Sequence, residues 1–357
     1  MLWQPRKLRR NLPIDFYARR THFIDHMVPV WNALPDEIRG TFYIPRVLLA
    51  YTKKRVTDIE KLYPLNCRSD KPTSCVEIPF ARNAIVTSAY GDMQLAAHYN
   101  ERPLILMEHG VGLTFNQANG KTVSGYGGGE GYRANVSLFL APNEYIAAKT
   151  RATFPDASQV VIGTPKMDPW AENFNAPKHK RPDEPVVCIA FHWDGSAVAP
   201  EAGNAWEYYR KFLPILKDKV HLIGHAHPKI MDKLEFQYQK MGIPVVKNFD
   251  DVLNTADLYI NDCSSTLYEF CVTGKPVVVL NAPWFRRWFN HGIRFWDYCD
   301  VGMVCDKPDQ LLERIEEALE DPTYMRTRRK RYVNELYPNL GYSSKTAAKA
   351  LKEFCYD

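Results

Sequence analysis

No apolar run in this 357-residue chain approaches the roughly 18–20 residues that a bilayer-spanning helix needs, and its beginning has no apolar signal-peptide core. The expectation is a cytoplasmic protein, at most peripheral at the inner membrane face. The eight cysteines (67, 75, 188, 263, 271, 299, 305, 355) include no CxxC pair, so the commonest zinc and redox signatures are missing; several lie in apolar runs, as reduced core thiols do. Gly125 to Gly131 is the only low-complexity stretch, and no internal repeat accompanies it. No GK[ST] closes the run GYGGGEGY and no strand pattern directly precedes it, which argues against a phosphate loop and favours a mobile loop governing acceptor access.

What is present is a globular composition, 45% hydrophobic and 24% charged. The length exceeds the roughly 250–300 residues at which a single core stops growing, so two domains with a cleft between them are expected. Basic residues outnumber acidic ones 46 to 41, a balance of +5 that suits a phosphate-bearing ligand without requiring nucleic acid. Arg6, Lys7, Arg9, Arg10, Arg19 and Arg20 interleave with Trp3, Phe16 and Tyr17, and a second basic run spans Arg326 to Arg331. These read as solvated helix faces or as contacts to an anionic membrane, polymer or nucleic acid.

Along the chain, residues 1–75 yield only a helical pattern over Asp15 to Ala33. Beyond them, short apolar runs alternate with amphipathic segments, which is the pattern of parallel βα units. Strands are expected at Ala84–Thr87, Leu104–Met107, Ser137–Leu140 and Gln159–Ile162, with helices at Met93–Tyr99 and Glu144–Phe154. The aperiodic segment 173–185 reads as a linker. After it come strands Val186–Phe191, Val220–Gly224, Leu258–Asn261 and Pro276–Leu280, and helices Ala205–Leu216, Lys229–Met241 and Ser265–Thr273. Helices at Pro308–Leu319, Tyr324–Glu335 and Ser343–Phe354 close the chain. The fold class is α/β with two doubly wound, Rossmann-like domains: residues 1–172, then the linker, then 186–320, with 321–357 returning to the first domain.

The densest chemistry lies where strand Leu258–Asn261 runs into Asp262, Ser264 and Ser265 at a helix start. Exposed amides, the helix dipole and two hydroxyls suit a phosphate there, although a plain N-cap explains one serine equally well. Glu269 lies one helical turn beyond Ser265, where a carboxylate can take both ribose hydroxyls of a nucleotide. His192 and Asp194 end another strand, a position for donor or acceptor contact. His225 and His227 follow a further strand; they have no third ligand at metal spacing, so no metal is expected. In the island GTPKMD, Lys166 can meet phosphate and Asp168 can cap the next segment, or both can form a surface turn. His109 and Gly110 follow strand Leu104–Met107 in a Gly-bounded loop at a carboxyl sheet edge.

Four ordered islands, HG at His109 and Gly110, GTPKMD at 163–168, HP at His227 and Pro228, and NDCSSTLYEF at 261–270, resemble the CDP-glycerol glycerophosphotransferase family of teichoic-acid primases and polymerases, and more distantly the nucleotide-sugar transferases of GT-B architecture. The resemblance implies a GT-B fold and a nucleotide-diphosphate donor held by the second domain without further cofactor. It implies His109 as the base that deprotonates an acceptor hydroxyl, and His227 as a contact to the donor pyrophosphate alongside Ser264 and Ser265, with His225 packing against it or orienting it. Two features depart from the family: an aromatic residue often stands where Glu108 does, and Asp is common at the position of Glu269. The expected reaction moves glycerol phosphate to a polymer or lipid-linked hydroxyl and releases CMP. Two alternatives stay open, a GT-B glycosyltransferase using a UDP-, CDP- or GDP-sugar, and a non-catalytic protein that binds an anionic polymer.

Overall fold

The computed structural model describes residues 13–67, 83–88, 92, 103–111, 136–151, 155–176, 181–196, 203–287 and 300–356. The expected helix Met93–Tyr99, the glycine-rich run and the basic residues 6–10 lie outside them. The chain divides into two units, one made of residues 1–112, 126–169 and 336–357, the other of 113–125 and 170–335.

In the first unit seven parallel strands are ordered β3-β2-β1-β4-β5-β6-β7. They are β1 Ile14–Tyr17, β2 Arg39–Pro45, β3 Leu62–Leu65, β4 Ile85–Thr87, β5 Leu104–Met107, β6 Val136–Ala141 and β7 Ser158–Val161. Every residue of β5 and β6 is buried, as strands covered on both faces require. The two-residue side-chain period sorts them: Ile105, Met107, Leu138 and Leu140 join one core with Trp31 and Leu351, whereas Leu104, Leu106, Phe139 and Ala141 join the other with Ile146. The order reverses between β1 and β4, which is the switch point where a doubly wound sheet opens a crevice at its carboxyl edge.

The single helix expected over Asp15–Ala33 is a strand, β1, followed by a helix over Thr21–Ala33. Asp15 disguises the strand because its carboxylate is fully buried and serves the fold: Oδ1 accepts from the Thr41 amide at 2.9 Å, and both oxygens accept from Asn83 at 3.2 Å.

In the second unit five parallel strands, β8 Val186–Phe191, β9 His221–Ala226, β10 Leu258–Asn261, β11 Val277–Leu280 and β12 Met303–Cys305, are ordered β12-β11-β10-β8-β9. This places a switch point between β8 and β10. The helix expected over Ala205–Leu216 is two short helices, Trp206–Tyr209 and Leu213–Lys217, the second starting with Pro214 in its first turn. The three-residue strand β12 was not expected, nor was the helix Phe249–Thr255.

The closing helices divide. Thr323–Leu336 belongs almost wholly to the second unit, where buried Arg329 donates to Asp321 at 2.6 Å and to the Gly274 carbonyl at 3.3 Å. The basic run Arg326–Arg331 is thus partly internal, with Arg326 and Arg328 paired to Asp321 and Asp300. Ser343–Tyr356 packs on the helix Thr21–Ala33 of the first unit. Five cysteines, 188, 263, 271, 305 and 355, are free and buried, whereas Cys67 is disulfide-bonded and departs from the expected reduced set. Among the described residues no helix is long and apolar enough to cross a membrane.

The island GTPKMD is the socket for the last helix. Asp168 accepts from the amides of Gly341, Ser343 and Ser344 at 3.0, 3.0 and 2.8 Å and from the Ser344 hydroxyl, so one carboxylate caps a helix begun 175 residues later. Gly163, at φ 89°, is required because a Cβ there would collide with the Pro338 carbonyl and the Ser343 hydroxyl. Asp168→Ala is therefore expected to cost about 2 kcal/mol of stability, and Gly163→Ala at least as much, both read from the midpoint of denaturant unfolding.

Candidate active site

Each unit carries a polar cluster at its switch point. In the first, β1 leads into Arg19 and Arg20, β4 into Ser88 and Asp92, and β5 into Glu108 and His109. His109 Nδ1 lies 2.8 Å from the Ser88 carbonyl oxygen. A carbonyl only accepts, so Nδ1 carries the proton and Nε2 of the neutral ring keeps its lone pair. Glu108 Oε1 accepts from the His109 amide at 2.9 Å and stands 3.3 Å from Nδ1. Gly110, at φ 78°, takes the left-handed turn that follows.

The helix Thr21–Ala33 walls this ring. Phe23 meets it edge-on with centroids 4.8 Å apart, and His22 and His26, one helical turn apart, lie at 5.9 and 6.4 Å. Burial holds the pKa of both histidines well below the ordinary value, and the nearby His109 and Lys166 push in the same direction. Asp92 is fully buried and pushed up to about 7 by that burial, against the pull of its ion pair with Arg19. Lys166 is partly buried after β7 and so belongs to the same unit as His109, apart from the other residues expected at the donor diphosphate.

In the second unit Asp262 organises the junction between β8 and β10. Its Oδ1 accepts from the His192 amide at 2.8 Å and the Cys263 amide at 2.7 Å, and its Oδ2 from the Ala205 amide at 2.9 Å. The carboxylate is completely buried and spent on backbone, which makes it scaffold rather than a ligand contact. Asn261 donates to the Ala190 carbonyl at 3.2 Å and accepts from the Ser264 amide at 2.9 Å. Ser264 Oγ accepts from the Thr266 amide and hydroxyl at 3.4 and 3.0 Å, which takes the capping role and leaves its own O–H as a donor. Ser265, partly exposed, makes no side-chain cap bond, and Glu269, one turn later, is 2% exposed.

His227 follows β9, with its ring 4.9 Å from that of His192. Its Nδ1 accepts from the Lys229 amide at 3.1 Å, so the proton of the neutral ring is on Nε2, the opposite tautomer to His109. His225 is buried, with Nδ1 donating to the Val246 carbonyl at 2.8 Å and its ring packed on Phe249, which makes it a packing residue of β9. His192 Nδ1 is 3.0 Å from the Trp193 carbonyl, and burial pushes its pKa down to about 4. The Lys229 ammonium sits 3.7 Å over the Trp193 ring. Asp194 is exposed and accepts only from the Ser196 amide, at 3.0 Å, among the bonds described. No group of three or more metal-ligating side chains forms among the described residues.

The sequence reading missed Glu108, Ser88, Asp92, Arg19, His22 and His26 as parts of the first cluster, and Trp193 and Lys229 in the second. Only the His22–His26 spacing was a usable signal, because it sets two histidines on one helix face.

Two doubly wound units of parallel sheet, each with a polar cluster at its switch point, define the GT-B architecture. The structure is similar to that of Staphylococcus aureus MnaA with UDP (14% identity, 96% of each chain, TM-score 0.61) and to the Neisseria meningitidis UDP-GlcNAc 2-epimerase bound to UDP-GlcNAc (14% identity, 95% and 99% of the chains, TM-score 0.56). It is also similar to the wall teichoic acid polymerase TagF in a CDPG soak (12% identity, 96% of this chain and 88% of that one, TM-score 0.57). The chain belongs to the CDP-glycerol:poly(glycerophosphate) glycerophosphotransferase family, whose model matches residues 131–349. The matched span contains the second cluster whole and begins after His109. No curated protein sequence matches the chain.

Buried neutral histidines fix the sign of a pH effect. His22, His26 and His192 bind a proton more readily unfolded than folded, so stability is full above the unfolded value of about 6.5 and is lost as pH falls, for His192 down to about 4. Denaturant midpoints measured at pH 7.5 and pH 5 are expected to drop less for His26→Leu than for the parent protein.

Proposed function

We propose that the protein is a CDP-glycerol glycerophosphotransferase in which His109 is the general base and the second cluster holds the donor. The observation that carries this is the pair of opposed tautomers. A lone pair on Nε2 of His109 suits proton abstraction, and an N–H on Nε2 of His227 suits a phosphate oxygen. Family membership supplies the reaction class.

In this reading Glu269 takes the ribose hydroxyls, and His227, Ser264 and Ser265 take the diphosphate. His109 Nε2 removes the acceptor hydroxyl proton as its oxygen bonds to the glycerol-bearing phosphorus. The bond from that phosphorus to the bridging oxygen breaks, and CMP leaves. Charge developing on the phosphates is met by the His227 N–H and the serine hydroxyls, with Lys166 adding a cation on the base's own unit. The acceptor is a hydroxyl on a polymer or a lipid-linked chain, and the protein works in the cytoplasm, at most peripherally at the inner membrane face.

Thermal shift against CDP-glycerol, CDP, UDP, UDP-glucose, UDP-N-acetylglucosamine and GDP-mannose tests the donor. A ligand at 100 times its dissociation constant adds about 2.7 kcal/mol of stability. Selective stabilisation by the cytidine compounds is expected, a preference for a UDP- or GDP-sugar moves the assignment to a glycosyltransferase, and no shift with any of them favours a silent binding protein. His109→Ala is expected to abolish transfer and spare CDP-glycerol binding, and retained turnover removes His109 as the base.

A further inference from the structure

We propose that Glu108 is a positioning residue that works through His109, its carboxylate holding the Nδ1–H form of the ring and facing the positive charge that forms there during transfer. The proposal rests on the reading of His109 as the base.

The geometry is unusual in that one carboxylate oxygen serves two atoms of the next residue. Glu108 Oε1 accepts from the His109 backbone amide at 2.9 Å, which fixes the carboxylate, and the same oxygen stands 3.3 Å from the ring Nδ1. Glu108 is buried at 9% exposure, whereas 37% of the His109 side chain remains exposed. The ring is otherwise bounded by the Ser88 carbonyl at 2.8 Å and by the edge-on Phe23. Phe23, His22 and His26 bound the ring, and the Ser88 carbonyl faces Nδ1 together with Glu108; of these groups only Glu108 carries the net negative charge that an imidazolium needs beside it.

That need arises at one moment. The acceptor O–H gives its proton to Nε2, its oxygen pair forms the bond to phosphorus, and the bond to CMP breaks with its electron pair leaving on CMP. The ring is then a cation whose Nδ1–H faces the Glu108 carboxylate, and the Nε2 proton passes to solvent. Glu108 stays ionised throughout and its task is orientation and electrostatics. The aromatic residue that often stands at this position in the family would supply no charge there.

The full-length protein is compared as Glu108→Gln, Glu108→Asp and His109→Ala, by steady-state transfer from CDP-glycerol and by nitrogen-15 NMR of labelled histidine rings. Glu108→Gln is expected to lower kcat by about 10- to 100-fold with KM for CDP-glycerol unchanged, and Glu108→Asp to recover part of the loss. The His109 ring signals are expected to move away from a single Nδ1–H form in Glu108→Gln. An unchanged kcat, an effect confined to KM, or an unchanged tautomer overturns the proposal. The tautomer readout needs no turnover, so it stands even if His109→Ala stays active, the result that defeats the base assignment instead. If Glu108→Gln fails to fold, as judged by near-ultraviolet circular dichroism, Glu108→Ala carries the same two readouts.

Discussion

Backbone amides and carbonyls at the carboxyl ends of parallel strands have lost their ladder partners and must find new ones, and most of what is distinctive in this protein follows from how they do so. The Ser88 carbonyl at the end of β4 is answered by a histidine ring, and the His192, Cys263 and Ala205 amides around β8 and β10 by one buried carboxylate. Satisfying the main chain is also what sets the chemistry. A histidine bonded to a carbonyl is left as a base, and one bonded to an amide is left as a donor.

Much of the fold beyond residue 84 is legible in sequence because strands buried on both faces read as unbroken apolar runs. The strands β4, β5, β6, β8 and β10 lie within a residue or two of where those runs place them. The first 75 residues defeat the same reading. In β1 a buried aspartate interrupts a four-residue strand, and its reason for being there, an amide on β2 and the side chain of Asn83, is not local. A three-residue strand such as β12 is too short to have a period at all.

The candidate site divides along the same line. Strand ends announce His109, His192, His227 and Ser264 as positions at a sheet edge. What the His227 and His109 rings do there depends on partners 2 and 21 residues away, and the carboxylates of Asp262 and Asp168 reach amides 70 and 173 residues away; spacing carries no record of the longer ones. Asp168 and Asp262 illustrate it: in sequence one reads as a local cap or turn residue and the other as part of a phosphate site, and both are consumed by distant backbone amides in the folded chain. Glu108 is the reverse case, a residue that stands out in sequence only as a departure from pattern and gains meaning from an oxygen 3.3 Å from a ring nitrogen.

The last helix, Ser343–Tyr356, is seated in the unit that the chain begins with, through the carboxylate of Asp168 and the close approach at Gly163. Synthesis proceeds from the N-terminus and domains generally fold as they emerge, yet here the first unit lacks one of its covering helices until residues 343–356 have been made. The second unit, contained within residues 113–335, is complete earlier. The nascent chain therefore holds all of the unit built around Asp262 before the unit that carries His109 gains this helix.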